Sequence, residues 1–311
     1  MKIHQPIRKA VFPIAGFGTR MLPATKSMPK EMLTIVDKPV IQLAVEEARD
    51  AGIEHFIFVT GRNKSIVEDH FDQSYELEQT LARANKNTQL ALLGAARIPA
   101  GKASFVRQQE ALGLGHAVLC ARDLVGHEPF AVILPDMVMK SEQGCLSQMV
   151  ETYDSTGGNL IASQTMPEDQ LNRYGVLDLA GEFSKAQRIK GMIEKPQHGT
   201  APSDQIVSGR YILQPQIFEM LANTPPGAGG EIQLTDAMKM LLEEEPFRAF
   251  RYDGQTFDCG NPLGYVLANI AFGLDRSDLS DLLVGEVSSL ISSLGKSASL
   301  LNQNQGQSRA A

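Results

Sequence analysis

The segment Gly16-Phe17-Gly18-Thr19-Arg20 combines two glycines with an arginine directly after a short apolar run. Glycines let backbone N–H groups approach a polyphosphate closely, and a guanidinium can bind phosphate oxygens through two charge-assisted hydrogen bonds. The segment is therefore a candidate phosphate-binding loop. On its own, the same pattern is equally typical of a tight turn beside a solvated arginine.

Two aspartates stand where they could bind a metal ion. Asp136 follows the apolar run Phe130–Leu134, and Asp258 opens the segment Asp258–Asn261. Mg²⁺ at phosphate sites commonly takes one or two carboxylates together with phosphate oxygens and water. The structural alternatives are a helix cap for Asp136 and a turn carboxylate for Asp258.

Other common catalytic and nucleotide-binding patterns are missing from the sequence. The third glycine of a dinucleotide-binding G-x-G-x-x-G would fall at Met21, and Pro23 interrupts the helix that should follow. The pattern G-x-x-x-x-G-K-[ST] is absent as well. No Ser-His-Asp set, zinc-binding spacing or reactive cysteine context occurs. If the protein is an enzyme, its reaction is therefore expected to proceed by direct displacement between bound substrates, without a covalent enzyme intermediate.

Composition narrows the class of protein. The 311 residues are 43% hydrophobic and 21% charged, with a net charge of −7, which is ordinary for a folded globular chain. This acidic balance argues against a nucleic-acid binder, which needs a basic surface. Cys120, Cys145 and Cys259 are isolated, and no apolar run approaches the ~18 residues needed to span a bilayer. We expect a cytoplasmic protein without a membrane segment.

Apolar runs that alternate with helical patterns predict an α/β fold for the first half. A helix is predicted after Pro39, where Ile41, Ala44, Val45 and Ala48 recur on one face, and another over 65–84. The predicted strands are Lys9–Ala15, Ile53–Thr60, Ala103–Arg107 and Phe130–Leu134. Ligands bind outside the carboxyl ends of parallel strands, so the Gly16 loop and Asp136 should share one edge of the sheet.

The second half predicts a mixed α+β extension with shorter strands. These strands are Asn159–Thr165, Tyr174–Leu179, Gly191–Ile193 and Ile206–Leu213. One helix is predicted over Thr235–Glu245 with Thr235 as its N-cap, and another over Pro262–Asp275. Beyond these, an apolar helical face that could pack on a neighbour precedes a polar tail over Asn302–Ala311; the face consists of Leu283, Val287, Leu290 and Leu294.

Longer segments resemble the sugar nucleotidyltransferase family. The first is Ala15–Pro39, AGFGTRMLPATKSMPKEMLTIVDKP. The others follow in uninterrupted order over residues 8 to 275, namely VRQQEALGLGHAVLCA, AVILPDM, RYGVLD, MIEKP, VSGRYIL, PPGAGGEIQLTDA and DCGN. The resemblance implies the nucleotide-diphospho-sugar transferase fold: a Rossmann-like, mixed and mainly parallel central sheet flanked by helices, with a smaller α+β sugar-binding extension.

The resemblance also implies domain bounds. The nucleotidyltransferase domain would occupy residues 1–281, with a nucleotide-binding part at roughly 8–158 and a sugar-binding part at roughly 159–275. Residues 282–311 would form a C-terminal helix and the polar tail. Members of the family commonly form homo-oligomers, so a dimer or tetramer is expected.

The reaction implied by the resemblance is attack of a sugar-1-phosphate on the α-phosphate of a nucleoside triphosphate, with release of pyrophosphate. The segments are most similar to members that use UTP, glucose 1-phosphate and Mg²⁺. The alternatives are dTTP or another sugar phosphate as substrate, or a non-catalytic regulator that binds a nucleotide sugar. The presence of both Asp136 and Asp258 counts against the regulator.

The family's functional residues map onto this chain one by one. Those implied in catalysis are Arg20, Lys30, Asp136 and Lys195, and the implied metal ligands are Asp136 and Asp258. Those implied in nucleotide binding are Ala15, Gly16, Gly18, Thr19, Glu31, Gln108 and Gly113. Those implied in sugar-phosphate binding are Gly175, Glu194, Lys195 and Gly209. Lys26 is a weaker candidate, and His116 is interpreted as a capping or packing residue rather than a catalytic one.

Overall fold

Short apolar runs and amphipathic segments alternate along the chain and form strands and helices. The computed structural model describes residues 4–181 and 184–307, except for the side chains of Ala228 and of residues 295–307. The strands are β1 (Lys9–Pro13), β2 (Thr34–Ile35), β3 (Lys38–Pro39), β4 (His55–Thr60), β5 (Ala103–Arg107), β6 (Phe130–Ile133), β7 (Met137–Lys140), β8 (Asn159–Thr165), β9 (Gly175–Leu179), β10 (Ala186–Glu194), β11 (Gln205–Leu213), β12 (Phe247–Arg251) and β13 (Gln255–Asp258).

The helices lie between these strands and at the C-terminal end. They are α1 (Val40–Asp50), α2 (Ser65–Phe71), α3 (Tyr75–Arg83), α4 (Asn87–Ala96), α5 (Leu114–Leu119), α6 (Arg122–Val125), α7 (Cys145–Thr156), α8 (Ile217–Asn223), α9 (Leu234–Leu241), α10 (Pro262–Leu274) and α11 (Ser280–Gln307). Short 3₁₀ turns cover Thr19–Met21, Ala24–Lys26, Lys30–Met32, Glu168–Arg173 and Ala228–Gly230.

Within the described residues, nine strands form one continuous sheet in the order β5-β4-β1-β6-β11-β8-β12-β10-β9. The strands β5, β4, β1 and β6 are parallel, as predicted for the first half. The strand β11 then runs antiparallel to both β6 and β8, and β12 lies parallel to β8. The predicted extension therefore continues the central sheet, whose mixed α/β character agrees with the predicted fold class.

The pleat of β1 explains how the sheet is buried on both faces. Phe12 contributes to the core beneath α1 and α7, where its ring stacks on that of Phe58 at 5.1 Å between centroids. The neighbouring Val11 contributes to the opposite core, with residues of α5, α8 and α9. Because successive side chains of a strand point to opposite faces, a doubly covered strand must be apolar throughout.

The predicted N-cap at Thr235 is wrong. Helix α9 begins at Leu234, and its N-cap position is held by Gln233. The Thr235 side chain is buried, and its hydroxyl donates a hydrogen bond of 2.7 Å to Glu194 Oε2. A partly buried carboxylate needs donors because its desolvation is costly, and Thr235 supplies one from the neighbouring helix.

A buried ion pair connects α1 to the middle of the sheet. Arg210 of β11 is 1% exposed, and its Nη2 lies 2.7 Å from Glu47 Oε2 of α1. Its Nη1 also donates to the carbonyl oxygen of Leu134 at 2.9 Å. Arg210 thus fixes the backbone at the end of β6, immediately before Asp136.

The predicted apolar face of the C-terminal helix divides into two parts. Leu283 and Val287 of α11 are half-buried, and a Cβ on Gly273 of α10 would lie only 2.8 Å from Leu283. Leu290 and Leu294 are instead exposed. The homo-oligomer stays a prediction that light scattering can test. In residues 4–181 and 184–307, no helix combines the length and apolar character required to cross a membrane.

We expect Arg210→Met to destabilise the fold by about 3 kcal/mol or more, because it leaves Glu47 without its buried counter-charge. Urea unfolding followed by circular dichroism measures the change. The matched control is Arg8→Gln, which breaks the exposed Arg8–Glu54 pair and should leave the midpoint nearly unchanged. Equal midpoint shifts in the two variants would contradict this role of the buried pair.

Candidate functional site

The carboxyl ends of β1 and β6 open into two adjoining cavities of about 380 Å³ and 870 Å³. The glycine loop and Asp136 meet there, as the sequence predicted. The smaller cavity contains Ala15, Gly16, Gly18, Thr19, Lys30, Gln108 and Gly113 in its wall. The larger contains Arg20, Gly175, Glu194, Lys195, Gly209 and Asp258. Asp136 and Thr19 belong to both walls, so the two cavities form one continuous site.

The glycine loop takes a conformation that requires glycine at one position. Gly18 has φ +68°, and a Cβ there would lie 3.2 Å from side-chain carbons of both Lys30 and Thr25. The Thr25 hydroxyl also donates to the Gly18 carbonyl oxygen at 2.8 Å. This close packing positions Lys30 beside the loop.

A buried ion pair between Lys64 and Glu31 contacts the backbone of the glycine loop. Lys64 Nζ donates both to the Gly16 carbonyl oxygen at 3.0 Å and to Glu31 Oε2 at 2.7 Å. Burial raises the pKa of Glu31, and the charges of Lys64 and Lys30 offset this only in part. The Glu31 side chain is 1% exposed and is absent from both cavity walls, so Lys64 is its close partner here, and its part in nucleotide binding stays a prediction.

Lys30 and Asp136 form a close ion pair at the junction of the cavities, with Nζ 2.6 Å from Oδ2. Burial alone would raise the pKa of Asp136, but the charge and hydrogen bond of Lys30, with Arg20 nearby, lower it below its ordinary value. Burial alone would lower the pKa of Lys30, and the charges of Asp136 and Glu31 instead raise it. Both groups therefore remain ionised at neutral pH.

Asp258 reaches the same place through an antiparallel pairing of β13 with β7. In that pairing Asp258 is opposite Met137, and the Cys259 N–H donates to the Asp136 carbonyl oxygen at 2.7 Å. Asp258 Oδ2 lies 3.5 Å from Nη1 of Arg20 and accepts a hydrogen bond from the Tyr174 hydroxyl at 3.3 Å. Two residues far apart in sequence thus present their carboxylates to one region.

Asp136, Asp258 and the Arg20 guanidinium border one space beside Gly260. A Cβ built there would lie 2.9 Å from Asp258 Oδ1, 3.0 Å from Asp136 Oδ2 and 2.6 Å from Arg20 Nη2. In the described part of the chain, no group of three or more His, Cys, Asp or Glu residues could hold a metal ion. Two carboxylates with open space for phosphate oxygens and water nevertheless suit Mg²⁺.

The adjacent thiol contributes no charge. Burial, together with the Asp136 and Asp258 carboxylates, raises the pKa of Cys259 to about 12. A protonated, buried thiol is neither a nucleophile nor a metal ligand.

Glu194 and Lys195 lie at the end of β10, in the wall of the larger cavity. Lys195 has φ +45°, which is uncommon for a residue with a side chain, and its N–H donates to the Tyr174 carbonyl oxygen at 3.0 Å. Its Nζ lies 3.3 Å from Glu194 Oε1, while the Thr235 hydroxyl donates a hydrogen bond to Glu194 Oε2. This strained backbone directs a carboxylate and an ammonium into one cavity.

Two glycines let backbone approach the larger cavity. A Cβ on Gly175 would lie 3.2 Å from Glu194 Oε2, and one on Gly209 would lie 2.8 Å from the Met137 side chain. Gly209 also has φ +78° within an irregular part of β11. Tyr211 is buried behind this region, and burial raises its pKa above the ordinary value.

The far end of the smaller cavity carries Gln108 and Gly113. Gly113 has φ +96°, and a Cβ would lie 2.6 Å from that of Glu231. The Gln108 amide nitrogen contacts both the Gly113 carbonyl oxygen and His116 Nδ1. His116 thus lies beside Gln108 in this corner, and the cap position of α5 is held by Gly113 instead of His116.

Sequence reasoning missed Lys64, Tyr174 and Thr235. Tyr174 and Thr235 stand inside quoted motifs, where their hydroxyls were the available signal, whereas Lys64 is in a polar turn without a distinguishing pattern. Lys26, a weaker candidate, is exposed and absent from both cavity walls.

The chain is similar to characterised proteins over most of its length. The sequence model of the family described as nucleotidyl transferase matches residues 9–272. A UTP–glucose-1-phosphate uridylyltransferase of Komagataeibacter xylinus is 47% identical over 259 residues, covering 83% of this chain and 91% of that protein. The protein with the same name from Bacillus subtilis (strain 168) is 45% identical over 278 residues, covering 89% and 95%.

Solved structures agree with this similarity. A UTP-bound UGPase from Acinetobacter baumannii has a TM-score of 0.83 and 44% identity, covering 92% of this chain and 98% of its own. A UDP-glucose pyrophosphorylase complexed with UDP-glucose has a TM-score of 0.78 and 42% identity, covering 87% and 100%.

We expect Gly260→Ala to weaken Mg²⁺-dependent binding of a nucleoside triphosphate at least tenfold, about 1.4 kcal/mol, because the methyl group would displace the Arg20 guanidinium and fill the space between the carboxylates. Isothermal calorimetry with and without Mg²⁺ measures the effect. Gly94→Ala is the control, since a Cβ there meets nothing within 4 Å. Equal affinities in Gly260→Ala and the control would exclude a cation from this space.

Proposed function

Because this chain belongs to the nucleotidyl transferase family, we propose that it transfers a uridylyl group from UTP to glucose 1-phosphate, giving UDP-glucose and pyrophosphate. Relatives at 45% and 47% identity carry the corresponding name, and similar structures hold UTP or UDP-glucose. The observation that carries the proposal is the pair of joined cavities with Asp136 in their common wall. Two phosphorylated substrates can meet at that point.

UTP occupies the smaller cavity in this proposal. Its base lies against Gln108 and Gly113, and its phosphates follow the backbone of the glycine loop. Arg20 and Lys30 then face the negative charge that builds up on the α-phosphate and the departing pyrophosphate. Cationic side chains that are already positioned where this charge develops stabilise the transition state without further rearrangement of the protein.

Asp136 and Asp258 would hold Mg²⁺ beside Gly260. A bound Mg²⁺ neutralises phosphate charge and orients phosphate oxygens. The lowered pKa of Asp136 keeps its carboxylate available for this purpose, since protonation would require a pH below the ordinary range for aspartate. Lys30 has three donors on its ammonium group, so it can contact Asp136 and a phosphate oxygen together.

Glucose 1-phosphate occupies the larger cavity. Lys195 binds its phosphate as a point charge. Thr235 donates to Oε2 of Glu194 and Lys195 pairs with Oε1, and the remaining lone pairs of this carboxylate can accept hydrogen bonds from sugar hydroxyls. Gly175 and Gly209 leave room for the hexose ring beside these side chains.

The chemistry is a direct displacement. An oxygen of the sugar phosphate forms a bond to the α-phosphorus as the bond to the bridging oxygen breaks, and the electron pair leaves with pyrophosphate. The side chains hold the two reactants in line, which removes much of the entropic barrier of a bimolecular step. Isolated, free cysteines are typical of reducing compartments, which supports the cytoplasm as the location of this reaction.

The proposal is tested by an assay that crosses UTP, dTTP and CTP with several hexose 1-phosphates, with and without Mg²⁺. We expect rapid pyrophosphate release for UTP with glucose 1-phosphate and Mg²⁺, because the relatives at 45% and 47% identity are named for this pair of substrates. Faster turnover of dTTP or of another hexose phosphate would redirect the proposal to that substrate. Tight UTP binding without any turnover would favour a nucleotide-sugar-binding regulator.

We expect Lys195→Ala to lower kcat/KM for glucose 1-phosphate by about 10²- to 10³-fold, as the loss of one charge-stabilising donor does in other enzymes. Steady-state kinetics at saturating UTP measures this change. Lys190→Ala is a matched control on the same strand, because Lys190 pairs with Asp178 and is absent from both cavity walls. Near-normal kinetics in Lys195→Ala would remove Lys195 from sugar-phosphate binding.

A further inference from the structure

The orientation of the Gln108 amide follows from its neighbours. Its Nε2 atom lies 3.1 Å from the Gly113 carbonyl oxygen, which can only accept a hydrogen bond. The atom that faces this carbonyl must therefore be the amide nitrogen. The backbone of Gln108 is also fixed, because its N–H donates to the Thr60 carbonyl oxygen at 2.8 Å.

His116 receives the second hydrogen of the same amide. Its Nδ1 lies 3.0 Å from Gln108 Nε2, so Nδ1 must be the unprotonated, accepting nitrogen of a neutral ring. Cys120 Sγ is at 3.9 Å from the same nitrogen, a longer and weaker contact. Gly113 and His116 together engage both donors of the Gln108 side chain.

The remaining polar atom of the side chain is an acceptor. Among residues 4–181 and 184–307, Gln108 Oε1 takes part in no hydrogen bond, and Gln108 belongs to the wall of the smaller cavity. The N–H group of Gly113 likewise has no partner among these residues. This corner therefore offers one side-chain acceptor beside one backbone donor.

We propose that His116 is a positioning residue that selects the base, since it holds Gln108 with its acceptor toward the cavity and its donors turned away. The inference rests on the proposed function, in which a pyrimidine nucleotide occupies this corner. Uracil presents an N3–H donor next to its O4 acceptor, which matches Gln108 Oε1 and the Gly113 N–H. Cytosine presents a lone pair at N3. This lone pair and Gln108 Oε1 are both acceptors, so they repel each other and form no hydrogen bond.

The Gly113 carbonyl favours one orientation of the amide, and His116 strengthens this preference by accepting the second amide hydrogen. With His116 replaced by an apolar residue, the second amide hydrogen loses its buried acceptor, and a buried unpaired donor is costly. Rotation of the amide then presents Nε2 to the cavity in part of the population. That orientation donates to the N3 atom of cytosine, so discrimination between the two bases falls.

The test compares dissociation constants for UTP and CTP, measured by calorimetry with Mg²⁺. We expect His116→Phe to reduce the CTP-to-UTP ratio of dissociation constants about tenfold, with little change in kcat at saturating UTP. His116→Asn should restore most of the ratio, because its amide oxygen can take the place of Nδ1. Cys120→Ala is the control on the same helix and should keep the wild-type ratio.

A fall in affinity by the same factor for both nucleotides in His116→Phe would mean that the ring only packs, and the proposal would be overturned. His116→Leu repeats the test if the phenylalanine variant does not fold, as checked by circular dichroism. Gln108→Leu separates this inference from the proposed function. If Gln108→Leu no longer discriminates between UTP and CTP while His116→Phe keeps the wild-type ratio of dissociation constants, only the role of His116 is overturned. If Gln108→Leu also keeps the wild-type ratio, base recognition by Gln108 is overturned as well.

Discussion

The contact of 2.6 Å between Lys30 and Asp136 lies where the two cavities of the site join. Lys30 is packed against the Gly18 backbone, and Asp136 ends the strand next to the one that leads into the glycine loop. The Asp136 carboxylate stays ionised beside the Lys30 ammonium, so it can bind a cation. The positive charge of Lys30 at the same time reduces the repulsion between Asp136 and a nearby phosphate. The parallel pairing of β1 and β6 is what brings the two residues together, so the sheet topology determines the electrostatics of the site.

Much of the fold could be predicted because its central strands are apolar throughout. Phe130–Ile133 was recognisable by composition, whereas β7 and β13 are short and carry polar residues, which gave no signal. Those two strands are the ones that bring Asp258 to Asp136. Their pairing is a long-range contact, and local pattern alone contains no information about it.

The same limit applies to the tertiary partners of individual side chains. Glu31 matched a family motif, but a motif does not give the partner of a carboxylate, and here it pairs with Lys64. Thr235 belongs to a residue type that often caps helices. Here its hydroxyl instead donates a hydrogen bond to the Glu194 carboxylate, which is a strong acceptor because it is charged. Tertiary partners decided both cases, and neither partner is close in sequence.

In the proposed function, recognition of the base and stabilisation of charge depend on different interactions in separate parts of the site. Gln108, Gly113 and His116 interact through neutral hydrogen bonds at one end of the smaller cavity, whereas the charged residues gather around Asp136 at the other end. Neutral hydrogen bonds discriminate through the penalty for an unpaired group, which is insensitive to the strong field of the phosphates. On this proposal, a change in base preference can occur without disturbing Lys30 or Asp136, since neither of them takes part in the hydrogen bonds of Gln108.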